Sequence, residues 1–381
     1  MRSGAVIAVA LLSACAAAPI APPPPDELFQ DALFRPASER ISAKDVFALS
    51  GAMKRYLRQD LAGAMATSGP RQALIDAVSQ GQLKLEYDSV RTRSAAEAFE
   101  ARAGNCLSLV IMTAALAKEL GIEVQYHRAS IADMWSRDGN IYFLNGHVNL
   151  SLGKRYVDPR TLYDAAELMT IDFLPGRELR GLRTEPVEEA TIVAMFMNNR
   201  AAEALVRGRL DDAYWWVREA MHVGPAFMGA YNTLGVIYMR RGELELAERV
   251  FRRVLAQEPG NTRSWANLAL VLGKLDRTAE AATAERQLAR LEGEAPFHYF
   301  HRGLAAMEAG DYRAARALFA QEVSRAPDYH EFHFWLGLAE LRLGRVDRAR
   351  AALELALENS TTPREHDLYA AKLQRLSLLR R

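Results

Sequence analysis

The second half of this chain repeats itself every 34 residues, and that period restricts the possible folds more than any other feature. Counted from Ala194, the pattern restarts at Met228, Thr262, Pro296 and His330 with no insertion. In the sharpest copy, Tyr231, Leu234, Gly235 and Tyr238 recur at helical spacing and Gly242 marks a turn. Ala247, Phe251 and Val254 then form a second helical face, which Pro259 closes. The first copy keeps Ala201, Gly208, Ala213, Ala220 and Pro225, the fourth Tyr299, Gly303, Gly310, Ala315, Phe319 and Pro327, and the fifth Leu336, Gly337, Gly344, Ala349 and Ala356. The third is worn: it retains Trp265, Leu268, Ala269 and Ala281 but has Asp276 at the turn and Glu285 where an aromatic ring usually packs. Small residues let paired helices approach, large apolar ones fill the seam, and each hairpin buries its face only against its neighbours. The expected architecture is an all-α solenoid.

A helical hairpin of this length with these positions resembles the tetratricopeptide repeat. The resemblance implies five repeats over 186–363, a capping helix over 364–381 carrying Leu368, Leu373, Leu376 and Leu379, and a protein or peptide as partner. If the first helices line a concave face, Phe297, Phe300, Leu304, Phe334, Leu338 and Leu341 form an apolar stripe in a peptide groove; seam packing accounts for them equally well. His298, His301, His330 and His333 recur at three-residue offsets that match no recognised zinc spacing, so they are read as surface or seam residues, with no metal and no cofactor.

The N-terminus reads differently. Arg2 precedes a short apolar run from Ala5 to Leu12, too short for a lasting transmembrane helix, and Leu12-Ser13-Ala14-Cys15 closes it. That motif resembles the bacterial lipobox. The likeness implies a signal peptide over 1–14, acylation of Cys15, and an exported lipoprotein held by its lipid anchor, at the outer membrane facing the periplasm because Ala16 follows rather than Asp. The stretch 15–25, with Pro19 and Pro22 to Pro25, reads as an extended tether. Lys and Arg number 48 against 47 Asp and Glu, a balance that gives no basis for nucleic-acid binding.

Between tether and repeats, residues 26–185 hold the second and only other cysteine, Cys106. Ser42 to Leu61 reads as an amphipathic helix, and Gly69 to Gln82 as a stretch that holds another. Gly104-Asn105 precedes Cys106 as a helix N-cap, and Leu107 to Leu120 is apolar nearly all round. A cysteine in a first helical turn sits among amides that favour a thiolate and support an oxyanion. Ile122 to Arg128, Ile141 to Leu152 and Arg155 to Asp158 read as strands, with Gly153-Lys154 turning between the last two. That turn sets Asn149 opposite Asp158, with His147 diagonal on the same face.

Tyr87-Asp88, Thr92 to Glu97, Gly104-Asn105-Cys106, Gly146 to Asn149 and Tyr156 to Pro159 together resemble the transglutaminase-like, papain-type superfamily. The resemblance implies an α+β domain with a helix-borne cysteine packed on a small antiparallel sheet. It also implies Cys106 as nucleophile, His147 as base and later acid, and Asp158 as orienting group. Tyr87, Asn105, Asn149 and Trp135 are candidates for oxyanion support, Trp135 equally for packing. Two functions follow as expectations: a membrane-anchored thiol enzyme (peptidase, amidase or acyl transferase) whose repeats recruit substrate or partner, or a lipid-anchored scaffold with an inactive thiol domain.

Overall fold

The computed structural model describes residues 24, 26–79, 83–89, 91–130, 135–138, 141–144, 147–153, 155–157, 164–166, 168–173, 183–292, 297–360 and 362–378. Cys15, the proposed signal peptide and Asp158 lie outside the described residues.

After short 3-10 turns at Asp26–Leu28, Asp31–Leu33 and Ala43–Asp45, α1 (Gly51–Arg55) runs through a π turn into α2 (Ala62–Ser79). The first helix therefore starts at Gly51 rather than after Ser42. Ser50 is its cap, accepting a hydrogen bond from the Met53 amide, whereas Ser42 makes no side-chain cap bond. Gly69, at φ 82°, kinks α2 just ahead of Pro70.

Next come β1 (Glu86–Tyr87), α3 (Ala95–Ala101), β2 (Ala103–Gly104) and α4 (Cys106–Glu119). Ser94 and Glu97 close a reciprocal capping box on α3. Every residue of α4 from Cys106 to Ala117 is buried, as its all-round apolar sequence requires.

The strands are β3 (Val124–Ser130), β4 (Trp135–Asp138), β5 (Ile141–Leu144), β6 (His147–Leu152), β7 (Arg155–Val157), β8 (Asp164–Ala166), β9 (Met169–Ile171) and β10 (Arg183–Val187). The main sheet has the order β10-β3-β6-β9, antiparallel throughout. Lys154 of the hairpin turn expected at Gly153-Lys154 lies outside the described residues, among which β6 pairs with β3 and β9 and β7 pairs with β8. Gly153, at φ 120°, gives its amide to the Glu123 carbonyl and so ends the β3–β6 ladder.

Among the described residues eleven helices follow: α5 (Glu189–Val206), α6 (Leu210–Val223), α7 (Met228–Arg241), α8 (Leu244–Gln257), α9 (Thr262–Lys274), α10 (Thr278–Glu292), α11 (His298–Glu308), α12 (Tyr312–Arg325), α13 (His330–Arg342), α14 (Val346–Glu358) and α15 (Pro363–Leu378). A Cβ on Gly235 would lie 2.5 Å from the Phe251 ring, and one on Gly303 2.5 Å from Phe319. The seam is thus a size match between residues sixteen apart: Gly with Phe in these two repeats, Gly337 with Leu353 in the fifth. Gly208, Gly242, Gly310 and Gly344 turn the chain with positive φ, and Asp276 takes that left-handed conformation in the third repeat at φ 58°. The worn copy therefore keeps its turn.

Residues 26–39, grouped by sequence with the cysteine domain, pack on the first repeats instead. Phe34 stacks on Tyr214 at 3.8 Å, and the Tyr238 hydroxyl donates to the Leu28 carbonyl at 2.7 Å. Trp215 donates to the Arg35 carbonyl, and Ser38 donates twice to Asp212.

Candidate active site

Cys106 is the first residue of α4, and local sequence explains its position. A Cβ on Gly104 would meet the Ser108 Cβ at 2.7 Å, so glycine lets the chain pass close to the helix it is about to enter. Asn105 caps the helix, its Oδ1 accepting from the Ser108 amide at 2.9 Å and from the Ser108 hydroxyl at 2.8 Å. The capping bond takes the third amide of the helix, so the Cys106 and Leu107 amides are left without an intrahelical acceptor at its positive end.

His147 opens β6 and is 1% exposed. Its Nε2 lies 2.7 Å from Asp172 Oδ2. Asp172, which the sequence reading did not name, therefore sets a carboxylate on the imidazole, while Asp158 lies outside the described residues. Leu150 pairs with Ile171, and one step along that register sets Asp172 opposite Asn149 and diagonal to His147. The sequence reading anticipated the same relation for Asp158; here Asp172, the residue after β9, stands in it. The legible signal was the polar alternation Thr170, Asp172 against Ser151, Asn149; the Ser151 and Thr170 hydroxyls meet at 2.9 Å.

Burial opposes a charged imidazole at His147, but the Asp172 hydrogen bond and the neighbouring Cys106 sulfur outweigh it and raise the pKa from 6.5 to about 9. Nδ1 meets no partner in ordinary hydrogen-bond geometry among the described residues, so the sulfur lies near the ring without a fully formed bond. Such contacts commonly tighten only when substrate is bound. Because the folded-state pKa is the higher one, protonated His147 contributes fully below pH 6.5, and that stability is lost as pH rises through about 9. Wild-type protein should lose on the order of 3 kcal/mol of His147-linked stability across this range. Urea denaturation at both ends, compared with His147→Asn, checks it; identical pH slopes in the two proteins would refute it.

The support candidates divide. Asn149 Nδ2 donates to Asp172 at 3.0 Å, and Asn105 Nδ2 donates to the Thr92 hydroxyl at 3.0 Å, so both amides hold the site's own groups rather than stand open as oxyanion donors. Tyr87 pairs in register with Gly104, two residues before Cys106. Trp135 lies in β4 opposite Leu144, and its side chain is outside the description.

Of the six residues read either as a groove stripe or as seam packing, most are packed in the seam. Phe297 and Phe300 are buried among Phe319 and Phe332, with Leu304 packed against them, and Phe297 has left-handed backbone at the start of α11. Phe334 lies 4.9 Å from the Tyr369 ring of α15, and Leu341 packs with Leu353 and Leu376. Leu338 is half-buried. Tyr369 and Leu376 turn inward from α15, whereas Leu368 is exposed and Leu379 lies outside the described residues. His330 meets the Tyr369 hydroxyl and His333 the Pro327 carbonyl. No described helix is long and apolar enough to cross a membrane.

A 184-residue stretch, 46% of this chain, is 26% identical to cellulose synthase operon protein C of Pseudomonas fluorescens (strain SBW25) and covers 14% of it. A 146-residue stretch, 38% of the chain, is 26% identical to Protein FlbA of Caulobacter vibrioides and covers 24% of it. The chain thus spans a quarter or less of these curated relatives. Among solved structures, a thermophilic TPR protein in Thermus thermophilus aligns at 20% identity and a TM-score of 0.30, over 48% of this chain and 99% of that one. Family models described as tetratricopeptide repeat match residues 228–272 and 300–362, within the array of paired helices. The helical half of this chain carries tetratricopeptide repeats.

Proposed function

We propose that this protein uses its tetratricopeptide array to engage a protein or peptide, and a Cys106, His147, Asp172 site to act on a carbonyl of that partner. The observation that carries this reading is the buried His147–Asp172 contact at 2.7 Å beside a cysteine at a helix N-terminus. The resemblance to the transglutaminase-like superfamily supports it.

The steps follow from the site. The Cys106 sulfur attacks an amide carbonyl carbon, and the first-turn amides of α4 receive the oxyanion. The C–N bond breaks as His147 passes its Nδ1 proton to the leaving nitrogen, giving a thioester. Water or an amine then attacks the thioester carbon, His147 takes a proton from that nucleophile, and Cys106 is released. Asp172 holds Nε2–H throughout and stabilises the imidazolium.

A chloroacetamide probe is expected to label Cys106, with His147→Ala abolishing the labelling; equal labelling of both proteins overturns the enzymatic reading. The matches to tetratricopeptide models favour a second reading, a scaffold whose thiol domain is structural. Under it, Cys106→Ser leaves both partner binding and the cellular phenotype unchanged. Should that substitution reproduce a full deletion, scaffolding alone is insufficient.

Leu12-Ser13-Ala14-Cys15 supports export and lipid anchoring, so we place the protein at the outer membrane facing the periplasm. Fatty-acid incorporation should disappear in Cys15→Ser, and its persistence would remove the anchor from this account.

A further inference from the structure

We propose that Glu203, in the first helix of the repeat array, is a positioning residue for the Cys106 thiol, acting through Thr92 and Asn105. The proposal rests on the thiol-site reading above and adds a residue from outside the cysteine domain.

Four hydrogen bonds make the connection. Glu203 Oε1 accepts the Thr92 amide at 2.6 Å, and the Thr92 carbonyl accepts from Arg200, one turn back on α5, at 3.5 Å. Thr92 Oγ1 accepts Asn105 Nδ2 at 3.0 Å, and Asn105 Oδ1 accepts the Ser108 amide at 2.9 Å. A parallel strand of the network runs from the Arg93 amide to the Ser108 hydroxyl at 2.8 Å. Thr92 is 2% exposed, so its amide depends on a protein acceptor. Glu203 is held in turn by Arg200 at 3.7 Å and Arg207 at 3.6 Å.

The chemistry of Asn105 gives this network a consequence at the sulfur. Its carboxamide has a donor end and an acceptor end, and only the acceptor end caps a helix. A carboxylate accepts and never donates, so Glu203 fixes the Thr92 amide, and with it the loop that presents Thr92 Oγ1. Because that hydroxyl takes Nδ2, Oδ1 faces the Ser108 amide. The amides of Cys106 and Leu107 then stay clear for the sulfur or an oxyanion. If Thr92 shifts, Asn105 is free to turn, and the helix end nearest the thiol loses its defined geometry.

The test uses the full chain as wild type, Glu203→Ala, Glu203→Gln and Thr92→Val, each with and without His147→Ala. The rate of Cys106 alkylation by chloroacetamide is measured from acid to alkaline pH. Glu203→Ala and Thr92→Val should slow labelling at neutral pH about tenfold while labelling remains dependent on His147. Glu203→Gln keeps an acceptor for the Thr92 amide and should restore most of the rate. Wild-type rates in Glu203→Ala and Thr92→Val, with His147 dependence intact, would overturn the positioning role. So would faster labelling that ignores His147, since that marks a loosened fold that exposes the thiol. If wild-type labelling itself ignores His147, the thiol-site reading fails, and the positioning role fails with it.

Discussion

Replacing Asp172 by alanine is expected to lower folding stability by roughly 3–5 kcal/mol, since removing one member of a buried charged pair strands the other. Two buried donors lose their acceptor together, His147 Nε2 and Asn149 Nδ2. The loss is chemical as well as structural. Without the carboxylate, burial acts on the imidazole with only the Cys106 sulfur opposing it, so the pKa falls from about 9 and the ring loses its charge near neutrality. Asp172→Ala should therefore melt early and also label slowly at Cys106. Asp172→Asn, which keeps one acceptor oxygen but adds donors that face the two donors already there, should fall between. A melting temperature within about 2 °C of wild type would refute the assignment of Asp172 as the buried partner.

Phe319→Ala is expected to cost roughly 3–5 kcal/mol as well, by opening a cavity in a seam where the facing residue, Gly303, has no side chain to fill it. Gly303 meets the Phe319 ring so closely that no Cβ fits between, and the ring is fully buried with Phe300 and Trp335 beside it. The effect should be local, because stacked repeats contact only their neighbours. Amide exchange should accelerate in α11, α12 and α13 while α4 and β6 keep their protection. Equal acceleration in both regions would show instead that the chain unfolds as one unit. Gly303→Ala tests the same contact from the other side, with an expected overpacking cost of about 1–3 kcal/mol.

These two predictions fall on parts of the chain that were unequally legible in its sequence. The repeat seam is set by pairs sixteen residues apart in one hairpin, so Gly235 with Phe251 and Gly303 with Phe319 can be read from spacing alone. Cys106 and its Asn105 cap were legible for the same reason, being adjacent residues with a local bond. The partner of His147 was not. Strand pairing depends on the whole sheet, and the shortest connection suggested β7, whereas the formed sheet has order β10-β3-β6-β9. Alternation along the strand does set Asp172 opposite Asn149 and diagonal to His147, but only the sheet order brings that strand beside β6. The groove residues stayed open in the sequence for a related reason: helical spacing gives the same pattern for a concave surface and a buried seam, and only the packed structure shows Phe297 and Phe300 to be buried.

The segment from Asp26 to Glu39 has a mechanical consequence. It lies across α6 and α7, held by Phe34 on Tyr214 and by Tyr238 on the Leu28 carbonyl. Arg218 adds an ion pair to Asp31, and Trp216 a hydrogen bond to Glu39. Traction on the chain ahead of Asp26 would reach these contacts before it reached α4 or the sheet. The first two repeats would then act as a strain relief, carrying the load while the geometry around Cys106 stays unstressed.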